Sequence, residues 1–288
     1  MISVVIPTYR RRESLLAALP NHLALAGVGE IVVVDDGSDD GTTEAVQALQ
    51  LDRVRVIRHA RNLGLPAARN TGAAAAQGEW VLYLEDDCGF PVDYAQQLLA
   101  VALEHRADIV GAPWLHTEDN LVARAAPQHP VTAMTLLSPP WAHPTAPLET
   151  PFLPALALVR RTVFEQVRYD VGLTGSFYRE ETDFFVSARR AGFRVMLTPT
   201  TASWQLGRFD GGCKLANQLA TDRSAVRNTA RFLAKHGRWL RAEGLLPAAP
   251  PVILVRFVLP RLPYYLKAPA RVARDRWRRR RGHPSVGG

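Results

Sequence analysis

The chain has 288 residues, 47% hydrophobic and 22% charged, a globular composition with length enough for one large α/β domain and a smaller appendage. Its net charge of +8 would suggest a nucleic-acid or membrane partner, but residues 253–281 hold ten Lys or Arg against Asp275 alone, leaving the body nearly neutral. Cys88 and Cys213 form no CxxC pair, which argues against a disulfide framework or a zinc site, makes both bystanders, and fits a reducing compartment.

The opening "MISVVIPTY" lacks the basic region and small-residue cleavage site of an export signal and reads as a strand, so export is not expected. "ISVVIP" and "EIVVVDD" are short β-branched apolar runs, as in a parallel sheet covered on both faces. Between them Leu15, Leu16, Leu19 and Leu23 have helical spacing, and Pro20 is expected to kink or end that helix. A second helix is expected from "SDDGTTEAVQALQ", capped by Ser38 or Asp39, then a strand at "VRVIRH". In "LPAARNTGAAAAQGE" Pro66 suits a first helical turn, and the Ala73–Ala76 run allows close packing of helix on sheet. "WVLYLEDD" reads as the fourth strand and "PVDYAQQLLAVALEH" as the next helix.

Nine prolines between 113 and 154 then interrupt all periodicity, the mark of an irregular insertion, in which His116, His129 and His143 read as surface residues. Beyond it, "ALALVRRTVFEQV" reads as strand into helix, "REETDFFVSARRAG" as a helix with acids at its start, and "RVMLTP" as a strand. "LATDRSAVRNTARFLAKHG" is an amphipathic helix. Alternating strand and helix predicts right-handed crossovers in a doubly wound, mostly parallel α/β sheet with helices on both faces, plus a C-terminal helical extension. In such sheets ligands collect beyond the carboxyl ends of the strands, where Thr8, Arg10, Asp35, Asp36, Asp86 and Asp87 all fall.

Adjacent carboxylates at a strand end suit a hard divalent cation, which offsets their repulsion; Mg²⁺ or Mn²⁺ commonly binds through one or two carboxylates plus diphosphate oxygens. "VVVDDGSDDGT" supplies a second acidic strand end, able to take hydrogen bonds from a base or ribose. A phosphoaspartyl phosphatase would want D-x-D-x-T directly after its strand, and Asp35, Asp36, Gly37, Ser38 does not provide it.

The ordered segments "VVIPTYRR", "IVVVDDGSDDGT", "RNLGLPAARNTG", "YLEDDC" and "REETDFFVSARRAGFRVMLTP" resemble the family 2 glycosyltransferases, enzymes of the GT-A fold, over about residues 1–206. The resemblance implies transfer of a sugar from a UDP-, GDP- or dTDP-linked donor to a glycan or lipid-linked acceptor, with inversion and with Mg²⁺ or Mn²⁺. It would make Pro7, Thr8, Tyr9 and Arg10 the nucleotide-contacting end of the first strand. Asp36, with Asp35 beside it, would bind the base, Arg69 would reach the nucleotide, and Asp86 would contact the ribose or donor sugar. Asp87 would be the metal ligand, with Glu85 in a place where Asp is more usual. Glu181 resembles the catalytic base, and Asp183 is a second candidate; two residues apart, they cannot share one helix face. After "RVMLTP" the family often carries a histidine near the metal, whereas Gln205 stands here.

The end of the chain, "PPVILVRFVLPRLPYYLKAPARVARDRWRRRR", mixes apolar residues with arginine and is too interrupted to span a bilayer. It reads as an interfacial segment for an anionic membrane surface, without a nucleic-acid-binding motif. The expected organisation is a transferase domain over 1–206, divided into a nucleotide-binding half (1–112) and an acceptor half (113–206), then a helical extension (207–246) and a basic amphipathic tail (247–288). The expected location is cytoplasmic, peripheral on the inner face of the cell membrane. The alternative from another class is a noncatalytic sugar-nucleotide or glycan-binding protein; a sugar-nucleotide pyrophosphorylase would need a glycine-rich triphosphate loop absent near the first strand.

Overall fold

The structure, a computed structural model, describes residues 1–115, 144–206, 212, 215 and 217–262. His116, His129, His143, Cys213 and the arginines beyond 262 lie outside the described residues. Four parallel strands form the first half: β1 (Ile2–Thr8), β2 (Val28–Asp35), β3 (Val54–Arg58) and β4 (Trp80–Tyr83), in the order β3-β2-β1-β4. Helices α1 (Arg12–Leu23), α2 (Thr42–Ala48) and α3 (Leu65–Ala75) connect them, and α4 (Tyr94–Glu104) follows a two-residue strand β5 (Cys88–Gly89).

Side-chain alternation sorts this apolar sheet between two cores. Val4, Ile6, Ile31 and Val33 point to one core with Leu15, Tyr94 and Leu98, while Val5, Val32 and Val34 point to the other with Ala68 and Phe184. The second half adds β6 (Ile109–Gly111), β7 (Trp114–Leu115), β8 (Leu148–Glu149), β9 (Ala157–Arg160), β10 (Val195–Leu197) and β11 (Ser203–Gln205). Strand β9 inserts antiparallel between β4 and β6, β10 is parallel to β6, and β8 closes the edge antiparallel to β10. Strands β5, β11 and β7 make a separate small sheet. The short α5 (Val163–Gln166) and α6 (Glu180–Arg190) complete this half, and α7 (Gln218–Ala242) and α8 (Pro250–Val258) form the helical end, sharing a core of Phe152, Val186, Phe232, Leu240 and Ile253.

Two local expectations shift. Helix α1 continues through the exposed Pro20 to Leu23, because the proline falls in the last turn, where one lost hydrogen bond is tolerated and the Pro20 carbonyl still accepts from Ala24 N–H at 3.1 Å. Helix α2 starts later than expected: Asp40, not Ser38 or Asp39, accepts the Thr42 N–H at 3.1 Å, after Gly41 turns the chain in the left-handed region. Ser38 instead accepts the backbone N–H of Arg10 at 2.8 Å, fastening the end of β1 to the turn after β2.

Close approach of α3 to the sheet depends on Gly72, where a Cβ would stand 2.2 Å from Val5 Cγ1. We expect Gly72→Ala to destabilise the fold by about 1–3 kcal/mol through overpacking, read as a lower urea midpoint. His22 is buried against Phe90, with ring centroids 5.5 Å apart, and loss of solvent lowers its pKa to about 4. The unfolded chain takes up this proton more readily, so the stabilisation is complete above a pH of about 6.5 and is lost as pH falls toward 4. Between neutral pH and about 4.5 this one group should remove roughly 2–3 kcal/mol, and His22→Leu should flatten the fall in unfolding free energy, read from urea denaturation, by that amount.

Candidate active site

The carboxyl ends of β1, β2 and β4 open into one solvent-open cleft of about 680 Å³, the space at its mouth included, lined by Pro7, Thr8, Tyr9, Asp36, Glu85, Asp86 and Asp87 together with Arg11, Leu65, Ala68 and Gly212. Parallel pairing sets this convergence, since Thr8 lies opposite Asp35 and Val5 opposite Tyr83, so the segments after the three strands emerge side by side. Each acidic group is then fixed by neighbours. Thr8 Oγ1 donates to Asp86 Oδ2 at 2.7 Å, and Ser14 Oγ donates to the Asp86 carbonyl at 2.7 Å.

Arg11, which the motif reading passed over, bridges the acidic pair, with Nη2 at 2.6 Å from Asp87 Oδ2 and Nε at 3.2 Å from Asp86 Oδ1. The signal was present as the second arginine of "TYRRR", but sequence alone does not say which of the three turns inward. Arg10 turns outward: its φ of +52° directs the side chain to an exposed ion pair with Asp39 at 2.6 Å, and it does not line the cleft.

The two aspartates after β2 divide their work. Asp35 is consumed by its own turn, accepting from Ser38 N–H at 2.9 Å and from the Thr43 hydroxyl, and does not line the cleft. Asp36 does line it, and accepts from the backbone N–H groups of Leu63 and Gly64, each at 2.8 Å, and contacts His59 Nδ1 at 2.7 Å. That packing requires Gly37, whose φ is +78° and whose Cβ would meet the Arg61 carbonyl carbon at 2.5 Å.

Arg69 lies beneath the cleft. It is fully buried, its guanidinium over the rings of Tyr83 and Tyr169 at 5.3 and 5.5 Å, with Nε 3.0 Å from Glu180 Oε1 and Nη2 3.8 Å from Glu85 Oε1. Asn70 holds the lid of this pocket by exchanging two 2.9 Å hydrogen bonds with the backbone of Tyr169. Arg69, expected to reach the nucleotide, therefore meets carboxylates within the protein, because the aromatic pocket and Glu180 draw it inward. Its own pKa is raised despite burial, by Glu180 first among its partners.

Burial pushes the Glu180 carboxyl up to about 8, with Glu181 and Glu85 adding to the rise and Arg69 opposing it. The side chain of Glu85 keeps 41% of its surface open through the cleft mouth, yet desolvation and the charges of Asp87, Asp86 and Glu181 raise its pKa to about 7, against Arg69. Asp86 rises to about 6, also by desolvation, with Arg11 and the Thr8 hydroxyl opposing.

Glu181, half-buried at the start of α6, is thus close enough to Glu85 and Glu180 to act on both. Asp183, on the same helix, faces away into the α6–α7 interface. It is fully buried, receiving Lys235 Nζ at 2.6 Å and contacting His236 Nε2 at 2.9 Å.

Glu85, Asp87 and Cys88 bring potential ligand atoms within 4.8 Å of one another. The oxygens suit a hard divalent cation, whereas the Cys88 thiol is buried and its pKa strongly raised by desolvation, which keeps it protonated and a poor partner for such an ion. Gln205 Nε2 lies 3.4 Å from Asp87 Oδ2, so the residue standing where a histidine is common does reach the acidic pair. The carboxylate set fits Mg²⁺ or Mn²⁺.

A sequence profile described as Glycosyl transferase family 2 matches residues 3–168, and the chain belongs to this family. Among curated relatives, it is 37% identical over 112 residues to the succinoglycan biosynthesis protein ExoO of Rhizobium meliloti, covering 38% of this chain and 31% of that protein. It is 33% identical over 132 residues to an undecaprenyl-phosphate 4-deoxy-4-formamido-L-arabinose transferase of Yersinia pestis, covering 43% of this chain and 40% of that one. These matches span less than half the length of either relative. Among solved structures, the fold matches the mannosyltransferase PcManGT from Pyrobaculum calidifontis in complex with GDP-Man and Mn²⁺, with a TM-score of 0.63 at 19% identity, over 93% of this chain and 75% of that one. It also matches S. aureus TarS 1-349 in complex with UDP-GlcNAc, with a TM-score of 0.59 at 17% identity, over 81% of this chain and 65% of that one. The mostly parallel sheet with flanking helices is that of the GT-A glycosyltransferases.

Because Arg69 is the buried countercharge of Glu180, we expect Arg69→Met to destabilise the protein by about 3–5 kcal/mol. Adding Glu180→Gln should recover part of that loss in chemical denaturation as pH rises above about 8, where Glu180 would otherwise ionise without its partner.

Proposed function

We propose that this protein is a metal-dependent inverting glycosyltransferase, moving a sugar from a UDP-, GDP- or dTDP-linked donor to a hydroxyl of a glycan or lipid-linked acceptor. The observation that carries the reading is the convergence of Asp36, Asp86 and Asp87 on one cleft, with Glu181 near enough for its charge to act on Glu85. Asp36 spends three of its roughly four acceptor positions on the protein and keeps one for a donor on a nucleobase edge. Thr8 and Tyr9 border the nucleotide, Asp86 faces the ribose or donor sugar, and Asp87 with Glu85 holds Mg²⁺ or Mn²⁺.

In the step proposed, an acceptor hydroxyl oxygen bonds to the anomeric carbon as the bond from that carbon to the diphosphate oxygen breaks. The electron pair leaves with the nucleoside diphosphate, and the acceptor proton passes to the Glu181 carboxylate. Glu181 is assigned as the base over Asp183 because both Asp183 oxygens are already engaged by α7. A bound cation offsets the charge that develops on the departing diphosphate.

Residues 1–206 are read as the transferase domain, 1–112 for the nucleotide and 113–206 for the acceptor, with 207–246 as helical extension and 247–288 as basic tail. The arginine-rich end supports work at the inner, anionic face of the cell membrane.

The test is release of nucleoside diphosphate from a panel of nucleotide sugars with Mn²⁺ or Mg²⁺. We expect one donor to turn over, with Asp87→Ala and Glu181→Gln each lowering kcat by at least about 10²-fold at unchanged stability. Asp183→Asn should instead lower the melting temperature. Donor binding without turnover, even with membrane extract as acceptor source, would point to a sugar-nucleotide-binding protein.

A further inference from the structure

Helix α8 is apolar on two sides. Ile253 and Phe257 face inward and are buried, while Val252 and Val255, continued by Leu259 and Leu262 in the 3-10 turn Leu259–Arg261 and just after it, lie on the outward side with 44%, 53%, 53% and 41% of their surfaces exposed. Spacings of three, four and three residues align these four as one stripe. A two-sided apolar helix with one side in water is the signature of an unfilled contact.

The chemistry around the stripe selects its occupant. Residues 250–262 contain no acid; Arg256 is exposed, while Arg261 is paired with Asp222 at 3.4 Å, and the sequence of residues 263–288 continues with eight Lys or Arg against Asp275. A second copy of the chain would bring the same positive charge and be repelled. A nucleic acid would satisfy the arginines but leave the stripe wet. Among the described residues no helix is long and apolar enough to cross a membrane. We propose that this outward stripe inserts into the headgroup region of an anionic bilayer, with the exposed Arg256 on the lipid phosphates. This goes beyond a general attraction of the basic tail, because it assigns the apolar half of the contact to four residues of the folded body.

The position of α8 gives the docking a consequence, which rests on the transferase reading above. The buried ring of Phe257 stacks on Tyr178, with centroids 5.7 Å apart, and meets the guanidiniums of Arg179 and Arg261 at 5.7 and 3.8 Å. Tyr178 and Arg179 directly precede Glu180 and Glu181, and Arg179 holds a φ of +77°, uncommon for a residue with a side chain. The contact thus fixes the turn from which α6 begins. A bilayer against the outer side of α8 therefore lies one helix away from the proposed base, where an acceptor carried on a lipid would arrive.

The experiment is flotation of the full-length protein with vesicles of phosphatidylcholine alone or mixed with phosphatidylglycerol, comparing wild type with Val255→Glu/Leu259→Glu and with Glu181→Gln. Both altered apolar positions are exposed, so folding should be kept, checked by an unchanged melting temperature and unchanged nucleoside diphosphate release from donor in water. We expect binding to the phosphatidylglycerol vesicles, weakened on the order of tenfold or more in the double variant and retained in Glu181→Gln. Equal vesicle binding by wild type and the double variant, or no binding by wild type, would overturn the proposal. So would a wild-type dimer in light scattering that the double variant abolishes, since a second copy would then cover the stripe. Turnover without vesicle binding would sink the docking and leave the transferase standing; vesicle binding through the stripe without turnover of any donor would do the reverse.

Discussion

The constraint on which this site depends is the crowding of like charge at the end of one strand. Glu85, Asp86, Asp87 and, one layer down, Glu180 stand close enough that desolvation and mutual repulsion raise the pKa of three of them. Two guanidiniums make the arrangement tolerable. Arg11 spans Asp86 and Asp87 from the start of α1, and Arg69 spans Glu180 and Glu85 from within α3. Much of the local architecture serves to deliver these cations. Asn70 and Tyr169 wall in Arg69, and Gly72 on the next turn lets α3 lie close enough to the sheet for the guanidinium to reach beneath β4. Arginine is the residue suited to both places, since it stays charged when buried and offers a planar face to aromatic rings.

The second half of the molecule solves a different problem, the orientation of α6. Its approach is tied to α7 through the Thr174 carbonyl, which accepts from Ser224 at 2.8 Å and Asn228 at 3.0 Å, and through Asp170, paired with Arg231 at 2.8 Å. Once on its course, α6 is held by Asp183 against Lys235 and His236. A carboxylate buried between two donors on a neighbouring helix fixes rotation about the α6 axis. With that rotation fixed, Glu181, two positions earlier, stays near enough for its charge to act on Glu85 and Arg69. The long helix outside the region matched by the family profile therefore supports the site without lining the cleft.

The succession of strands and helices in the first half and the acidic strand ends were legible in the sequence because they rest on local pattern: apolar runs of β-branched residues, glycine turns, and carboxylates directly after them. The insertion of β9 antiparallel between β4 and β6 was not, since "ALALVRR" carries no mark of its direction. Among the arginines, sequence context ranked Arg69 as a nucleotide contact and left Arg11 unnoticed, and the structure exchanges their places relative to the cleft. Which of several adjacent long side chains turns inward is set by the backbone at the strand end, here the left-handed φ of Arg10, and by partners distant in sequence such as Glu180. Separating Glu181 from Asp183 likewise needed the identity of the facing helix, which periodicity within α6 does not supply.

Charge balance in the cleft bears on why a divalent cation belongs to the proposed chemistry. Among the described residues lining it, Arg11 is the cation, set against Asp36, Glu85, Asp86 and Asp87. Asp36 is compensated by its own hydrogen bonds from the loop after β3, but the remaining three carboxylates outnumber the one guanidinium. Protonating Glu85, whose pKa is pushed up to about 7, still leaves the group negative at neutral pH. A nucleoside diphosphate brings further negative charge to the same space, so its binding requires positive charge beyond what Arg11 provides. Lysine or arginine on a loop could meet that need at a distance; oxygen ligands from Asp87 and Glu85, with the Gln205 amide beside them, match it at the point where the leaving group's charge would grow.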